Sequence, residues 1–374
     1  MFELTESELK RYNRQVILPE LGIKGQKKLK GASVLVVGAG GLGCPVLLYL
    51  TGAGIGKIGI CDFDFVDETN LQRQVLYTMK DLGKPKAVVA AKRLSKLNPL
   101  IHFQPHNLIL KKQNALELFK LYDLIVDASD NFPTRFLIND ACVVLNKPFV
   151  FGAVYKFEGQ VSVFNYMNGP TYRCLVPEMP KQSGKISCSE TGVMGIVTGI
   201  TGTYQAMEVV KIISGIGKVL SGKLLHIDAF RMEHKIISIK RNRNTTKRSE
   251  LEDDEEFCNF QDLEIVQLKP DELAKMMKNA AVAVIDIRPK ELFDMYHIKS
   301  KNMGIDQIFN YPEKLPEDKK IVFVCEHGIN SNYVSSELKK KMPGMAIYNL
   351  QGGLQAWIRD KLPVIEPKKS INPE

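Results

Sequence analysis

One hexapeptide limits what this chain can fold into more than any other feature. Gly38-Ala39-Gly40-Gly41-Leu42-Gly43 directly follows the apolar run Ser33–Val37 and opens an apolar helical pattern from Cys44 to Ala53. Glycines at such a turn let the backbone approach a phosphate, and the helix N-terminus faces the anion with free N–H groups. Asp62 stands 19 residues beyond Gly43, at the end of the next strand-like run, Lys57–Cys61. A carboxylate there can hold ribose hydroxyls. Nucleotide binding follows, with Gly40 and Gly41 closest to the phosphates. The turn alone does not choose between NAD, FAD and ATP.

The flanking sequence supplies the architecture. A polar helix-like stretch runs from Thr5 to Gln15. Leu124–Asp127 and Phe149–Phe151 read as strands with a helical pattern between them, and Gln160–Phe164, Lys223–Ile227 and Ile236–Lys240 add strands. Strands alternating with helices predict an α/β fold, a Rossmann-like domain with a mostly parallel sheet covered on both faces. At 44% apolar and 25% charged residues the chain is not mainly disordered. Seven cysteines in 374 residues are too sparse for a disulfide scaffold, so any sulfur chemistry is expected to be catalytic or metal-binding. The opening MFELTESELK is acidic and polar, unlike a signal peptide. The longest uncharged stretch, Thr191–Met207, is rich in Gly and Thr and predicts a buried helix rather than a membrane span. We therefore expect a cytoplasmic protein with no membrane contact. The net charge of +9 is spread along the chain. It permits an acidic partner without requiring one, and no direct nucleic-acid binding is expected.

Lys240–Glu256 carries five basic residues, then six acidic ones, with Leu251 as its only large apolar side chain. Such a segment cannot bury a core. The expected division is 1–243 for the nucleotide-binding domain, 244–261 for a charged linker and 262–374 for a smaller α/β domain. In that last part Val282–Asp286, Ile321–Cys325 and Ala346–Leu350 read as strands. Lys290–Met295, Tyr333–Lys341 and Gly353–Arg359 read as helices. Gly217–Lys223 approaches a Walker loop, but Leu224 stands where Ser or Thr is needed, so a surface loop is expected.

A second constellation decides the nucleotide. After Asp62 come Asp64, Asn70, Arg73 and Gln74, then Lys86; Asp130 and Asn131 end a later strand, and Arg11-Tyr12-Asn13-Arg14-Gln15 lies near the start. Arg and Lys can neutralise a triphosphate and a carboxylate can hold magnesium. NAD binding needs none of this surplus. From about Leu9 to Lys240 the chain resembles the MoeB/ThiF adenylyltransferases, which activate ubiquitin-like sulfur carriers. Phe157–Phe164 and the helix ending near Lys211 extend the match. The resemblance implies ATP and Mg2+ as cofactors, Asp62 on the ribose, and Asn70, Arg73 and Lys86 on the phosphates, with Asp64 beside them. It places Asp130 on magnesium and Asn131 nearby, and sends Arg14 into the partner's active site in a homodimer. It also implies that Cys188, in SCSETGVMG, sits on a loop and can link covalently to the carrier's C-terminus. Many such proteins hold a structural zinc with two Cys-x-x-Cys pairs. Here only Cys174 of the first pair is present, and Thr245 and Arg248 occupy the second, so no structural zinc is expected.

The C-terminal part resembles a rhodanese domain. Cys325-Glu326-His327-Gly328-Ile329-Asn330-Ser331 lies between a strand and a helix, flanked by Asp286-Ile287-Arg288, Glu291, His297 and Leu350–Gly353. The resemblance implies that Cys325 carries a persulfide. A basic residue often follows that cysteine. Glu326 is expected to raise the thiolate pKa and a charged His327 to lower it. Arg288 is expected to pair with Glu291 or a loop carbonyl, and His297 to be structural.

Together the two resemblances imply one plan. ATP adenylates the C-terminal glycine of a ubiquitin-like carrier ending in Gly-Gly. Sulfur then passes from Cys325, loaded by a persulfide donor such as a cysteine desulfurase, to give a thiocarboxylate, with Cys188 assisting release. Molybdopterin, thiamine, tRNA-thiolation and cysteine pathways share this machinery, and the sequence leaves the carrier open. Three alternatives stand beside it: a nicotinamide-dependent oxidoreductase, thioester transfer of a ubiquitin-like modifier through Cys188, and adenylation of a small molecule or tRNA base.

Overall fold

The computed structural model describes residues 3–179, 192–242, 251, 265–278, 281–316, 319–326 and 328–366. The chain divides into two compact units, Met1–Glu252 and Asp253–Glu374.

The first unit opens with α1 (Glu6–Arg11), α2 (Asn13–Val16) and α3 (Gly22–Gly31). There follow β1 (Ser33–Val37), α4 (Gly43–Ala53), β2 (Lys57–Cys61), α5 (Lys86–Leu97), β3 (His102–His106), α6 (Lys112–Lys120), β4 (Leu124–Asp127) and α7 (Phe132–Val144). β5 (Phe149–Tyr155), β6 (Glu158–Phe164), α8 (Gly195–Ser214), β7 (Lys223–Asp228) and β8 (Glu233–Ser238) complete it. The sheet runs β3-β2-β1-β4-β5-β6-β7-β8. It is parallel from β3 to β5 and antiparallel from β5 to β8. β1 and β4 are apolar on both faces and buried, as a parallel strand under helices on both sides must be. α4 ends at Gly54, whose φ of 84° closes the helix in the left-handed region.

The second unit holds β9 (Val266–Leu268), α9 (Pro270–Met276), β10 (Val282–Asp286), α10 (Lys290–Met295) and β11 (Lys301–Asn302). It continues with α11 (Ile305–Asn310), β12 (Lys320–Val324), α12 (Ile329–Lys341), β13 (Ile347–Leu350) and α13 (Gly353–Arg359). Its sheet, β11-β10-β12-β13-β9, is parallel throughout. Val322, Val324, Leu350, Leu354 and Trp357 pack on one face, and Ile321, Phe323, Val334 and Leu338 on the other.

Several expected elements change. The single N-terminal helix is two, broken at Tyr12, whose ring turns inward so that its hydroxyl accepts a hydrogen bond from Asn98 Nδ2 at 2.8 Å. The last strand of the first unit is Glu233–Ser238 rather than Ile236–Lys240, because the hairpin pairs Asp228 with Glu233 and Lys223 with Ser238. β3 escaped the sequence pattern: it is an edge strand with exposed residues and a proline at 105, which only an edge tolerates. The helix expected over Thr191–Met207 is α8, and no described helix is long and apolar enough to cross a membrane. The expected linker, 244–261, lies outside the described residues apart from Leu251.

Candidate functional site

β1 and β4 are neighbours whose connections leave in opposite directions along the sheet, so a crevice opens beyond their carboxyl ends. The glycine turn fills its floor. Gly38 has φ 96°, and a Cβ there would sit 2.5 Å from the carbonyl oxygen of Ala128, beyond the end of β4. At Gly43 a Cβ would lie 2.0 Å from the Gly38 carbonyl oxygen. These two glycines close the turn. At Gly40, by contrast, the nearest atom is Gln74 Nε2 at 3.6 Å, so that glycine keeps a space a Cβ would occupy.

Asp62 directly follows β2 and braces the turn. Its Oδ2 accepts from the Ala39 N–H at 2.7 Å and its Oδ1 from the Asp64 N–H at 2.8 Å. Burial pushes the Asp62 carboxyl up, opposed by the Lys86 charge and by both N–H donors. From the other side Tyr77 donates its hydroxyl to the Ala39 carbonyl at 2.8 Å. Burial pushes that phenol up, so it stays a donor.

Residues 68–77 lie along the same turn. Asn70 Oδ1 accepts from Arg73 Nη2 at 3.2 Å and from Gln74 Nε2 at 2.9 Å, and Arg73 Nη1 donates to the Thr69 carbonyl at 3.2 Å. The start of α8 closes over them: a Cβ on Gly195 would sit 3.2 Å from Arg73 Cβ, and one on Gly41 3.1 Å from Thr198 Cγ2. Lys86 begins α5 and places Nζ 2.6 Å from Asp64 Oδ2. The structure thus gathers Gly40, Gly41, Asp62, Asp64, Asn70, Arg73 and Lys86 about one turn. Gln74, Tyr77 and Thr198 are the supports sequence reasoning did not assign. Gln74 stood in the quoted motif, whereas nothing in the sequence marks Tyr77 or Thr198.

Asp130 and Asn131 follow β4 at the same edge. The Asp130 carboxylate is exposed, and its hydrogen-bonding partner among the described residues is Asn131 Nδ2 at 3.4 Å. That leaves it open to a cation. Asn131 caps α7, its Oδ1 accepting from the Thr134 N–H at 2.9 Å. Beneath them Asp127 is fully buried. Its Oδ1 accepts from the Ser129 hydroxyl at 2.6 Å, and its Oδ2 lies 3.7 Å from Arg135 Nε.

Arg14 is not brought to this turn within its own chain. It is exposed on α2, whose Gln15 donates to the Ala53 carbonyl at 3.3 Å, at the end of α4 remote from Gly43. The eleven residues of α4 span about 16 Å. Cys188 lies outside the described residues. Cys174 Sγ accepts from the N–H groups of Thr171 at 3.4 Å and Asn242 at 3.3 Å, while Thr245 and Arg248 lie outside the described residues. Among the described residues no three His, Cys, Asp or Glu side chains gather as metal ligands.

In the second unit Cys325 follows β12 and is 5% exposed. Its Sγ accepts from the Ser331 hydroxyl at 3.2 Å and the Ser331 N–H at 3.4 Å. The start of α13 takes the loop's carbonyls: Leu354 N–H donates to Cys325 O at 2.9 Å and Gln355 N–H to Glu326 O at 3.0 Å. Asn349 Nδ2 donates to Gly328 O at 3.0 Å. With its carbonyls bound outward, the loop can turn N–H groups toward sulfur. Of the two partners expected for Arg288, the structure shows the loop carbonyl, that of Tyr296, and not Glu291. Arg288 bonds Asp286, donates Nη1 to Glu326 Oε2 at 2.9 Å and Nη2 to the Tyr296 carbonyl at 2.6 Å. The sequence-near acid lost to Glu326 because the loop brings that carboxylate onto the strand end. His297 stacks on Phe293 with ring centroids 4.2 Å apart, and His327 lies outside the described residues.

Comparison with known proteins agrees with both halves. The ThiF family pattern matches residues 12–249, and the rhodanese-like domain pattern matches residues 269–360. The "Probable adenylyltransferase/sulfurtransferase MoeZ" of Mycobacterium tuberculosis is 42% identical over 375 residues, covering 96% of this chain and 95% of its own. The "Sulfur carrier protein adenylyltransferase" of Thermus thermophilus is 50% identical over 265 residues, covering 68% of this chain and 98% of its own. A solved structure of E. coli MccB with MccA-N7isoASN superposes with a TM-score of 0.57 at 25% identity, covering 64% of this chain and 74% of that one.

Proposed function

We infer what this protein does from the fact that the chain belongs to the ThiF family and carries a rhodanese-like domain: it is an adenylyltransferase and a sulfurtransferase. Its substrate is ATP together with a ubiquitin-like sulfur-carrier protein ending in Gly-Gly, and its product is the carrier thiocarboxylate. One observation carries this most. Arg73 and Lys86 stand with Asp62 about one glycine turn, and a second unit of the same chain holds a cysteine in a loop whose Cys325, Glu326 and Gly328 carbonyls accept hydrogen bonds.

The chemistry follows from the groups present. The carrier's terminal carboxylate attacks the α-phosphorus of ATP, and the bond to the β-phosphate oxygen breaks. Arg73 and Lys86 stabilise the charge that develops on the transferring and leaving phosphates. Asp62 holds the ribose, and Asn70 orients Arg73. Asp130 would hold Mg2+, which supplies charge neutralisation at the phosphates. The exposed Asp130 carboxylate fits that role. Arg14 acts on the partner's site in a homodimer; its place at the far end of α4 supports this. The terminal sulfur of a Cys325 persulfide then attacks the acyl carbon and AMP leaves, giving an acyl disulfide. Attack by the Cys188 thiolate on the Cys325 sulfur releases the thiocarboxylate and leaves a Cys188–Cys325 disulfide, which an external thiol reduces. A cysteine desulfurase persulfide reloads Cys325. The work is cytoplasmic, in keeping with the sparse cysteines.

The test is ATP–pyrophosphate exchange with a panel of purified carriers. Exchange that needs one carrier and is lost in Asp130→Ala supports adenylation and names the pathway; exchange with none of them sinks it. For the second step, Cys325→Ala must abolish thiocarboxylate formation from a persulfide donor.

A further inference from the structure

We propose that Asn349 and Gln267 are positioning residues for sulfur loading on Cys325: together they hold the start of α12 where Ser331 reaches the sulfur. The proposal rests on the sulfur-transfer role given above and deepens it.

Three elements close a ring of amides beside the cysteine loop. Asn349, on β13, donates Nδ2 to the Gly328 carbonyl at 3.0 Å and to Gln267 Oε1 at 2.7 Å. Gln267, on β9, donates Nε2 to Asn332 Oδ1 at 2.7 Å. Asn332, on α12, returns its N–H to the Gly328 carbonyl at 3.3 Å. β9 and β13 pair in parallel with Gln267 opposite Asn349, so the two side chains leave the same face of the sheet.

Gly328 is the N-cap of α12, and Ser331 is the third residue of that helix. The Ser331 N–H and hydroxyl both reach Cys325 Sγ. One turn of helix therefore joins the carbonyl that the ring grips to the donors that meet the sulfur. Ser335, fully buried, ties the same turn to β13. Its hydroxyl lies 2.7 Å from the Ser331 carbonyl oxygen and 3.3 Å from that of Tyr348.

Packing does not account for the amide at 349. Asn349 is 1% exposed, and its Oδ1 has no hydrogen bond among the described residues. A buried acceptor left unpaired is costly, and a leucine with the same branched outline would avoid that cost. What leucine cannot supply is the pair of N–H donors that fix Gly328 and Gln267. Donors aimed at sulfur favour its charged form. If Gly328 drifts, the first turn of α12 drifts with it and Ser331 loses its aim. Neither amide bonds Cys325 itself, so the loss falls on the rate of the step rather than on capture of the donor.

The test uses the full chain, with glutathione persulfide and iodoacetamide as probes and mass at Cys325 as the readout. In loading, the Cys325 thiolate attacks the outer sulfur of the persulfide, the S–S bond breaks, and glutathione thiolate leaves as the Cys325 persulfide forms. Iodoacetamide reports the thiolate alone, which displaces iodide. Asn349→Leu should slow the maximal loading rate about tenfold, as for one aimed hydrogen bond lost, with the half-saturating donor concentration unchanged. It should also move the pH profile of Cys325 alkylation to higher pH. Gln267→Leu, at an exposed position, leaves the bond from Asn349 to Gly328. It should shift the profile the same way and slow loading about threefold. A residue that only stabilises the fold would lower the melting temperature and leave the profile in place. An unmoved profile in folded Asn349→Leu, or in Gln267→Leu should Asn349→Leu fail to fold, overturns the proposal, as does a loss carried by donor saturation. If the wild type takes up no sulfur from the persulfide, the sulfur-transfer role falls and this inference with it. If the wild type loads and Asn349→Leu loads as fast, this inference falls alone.

Discussion

Lys86 Nζ and Asp64 Oδ2 meet at 2.6 Å, the lysine side chain 4% exposed and the carboxylate 57%. The cation is enclosed while its partner stands in water. In the proposed reaction a phosphate arriving at the glycine turn would find Lys86 already aimed and weakly held, since a pair half in solvent contributes little. Lys86→Met should cut carrier-dependent ATP–pyrophosphate exchange by about a hundredfold or more, the usual loss when one preorganised charge donor is removed. Circular dichroism must show the fold retained. Exchange near the wild-type rate would refute the assignment.

The glycines of the turn should separate by role. Gly43→Ala would place a Cβ 2.0 Å from the Gly38 carbonyl, whereas at Gly40 the nearest atom is 3.6 Å away. We expect Gly43→Ala to lower stability by about 2 kcal/mol or more. Gly40→Ala should leave the melting temperature near wild type and weaken ATP binding in calorimetry. Equal losses of stability would contradict this division.

Arg14 invites a complementation test. Alone, Arg14→Ala and Asp130→Ala should each abolish exchange. Mixed after reversible dissociation, half of randomly paired dimers combine both variants and have one whole site of two, so about a quarter of the activity should return. No recovery in verified mixed dimers would mean that Arg14 does not act across subunits.

Ser331 is a positioning residue for Cys325 through two contacts, hydroxyl at 3.2 Å and N–H at 3.4 Å. Ser331→Ala removes only the first. Sulfur loading onto Cys325 should slow about tenfold, equivalent to about 1.4 kcal/mol, within the range for a single intramolecular hydrogen bond. Carrier adenylation, measured separately, should not change.

The N-terminal arm that carries Arg14 is tied down by Glu8. Its Oε2 accepts from Lys30 Nζ at 2.7 Å and from the Thr5 N–H at 2.7 Å. Burial pushes the Glu8 carboxyl up, and the Lys30 and Thr5 bonds outweigh it, so it sits below its ordinary value. A depressed carboxyl contributes stability that is present above the unfolded pKa, about 4.3, and is lost as pH falls through the lower folded value. Glu8→Gln should therefore cost about 1 kcal/mol at neutral pH and show a smaller loss on acidification than the wild type. Denaturant titrations at several pH values would check this, and parallel pH curves for the two proteins would contradict it.

Much of the fold was legible because its signals are local. β1, the glycine turn and α4 announce themselves through apolar runs and glycine spacing, and so does β12 before Cys325. What escaped depended on distant partners. β3 has no apolar alternation and exists because β2 offers it an edge. The break at Tyr12 comes from Asn98, far along the chain, and Arg288 chose Glu326 over the nearer Glu291 because the loop folds back on the strand end. At the site, charged residues could be named from motifs. The braces Tyr77 and Thr198 could not, since a tyrosine hydroxyl on a backbone carbonyl and a threonine against a glycine leave no pattern in one sequence.

Lys86 is also the first residue of α5, with Pro85 before it and no side chain capping the helix start. A cation sits at the positive end of a helix dipole, where an anion is favoured. This local conflict falls at the proposed nucleotide site. Amide hydrogens at the start of α5 and around Asp64 should therefore exchange through easy local opening, and ATP should slow them more than those of the buried strands. On the proposed reading, nucleotide binding would be the last step of folding for this corner of the molecule, and release of pyrophosphate would give that order up again.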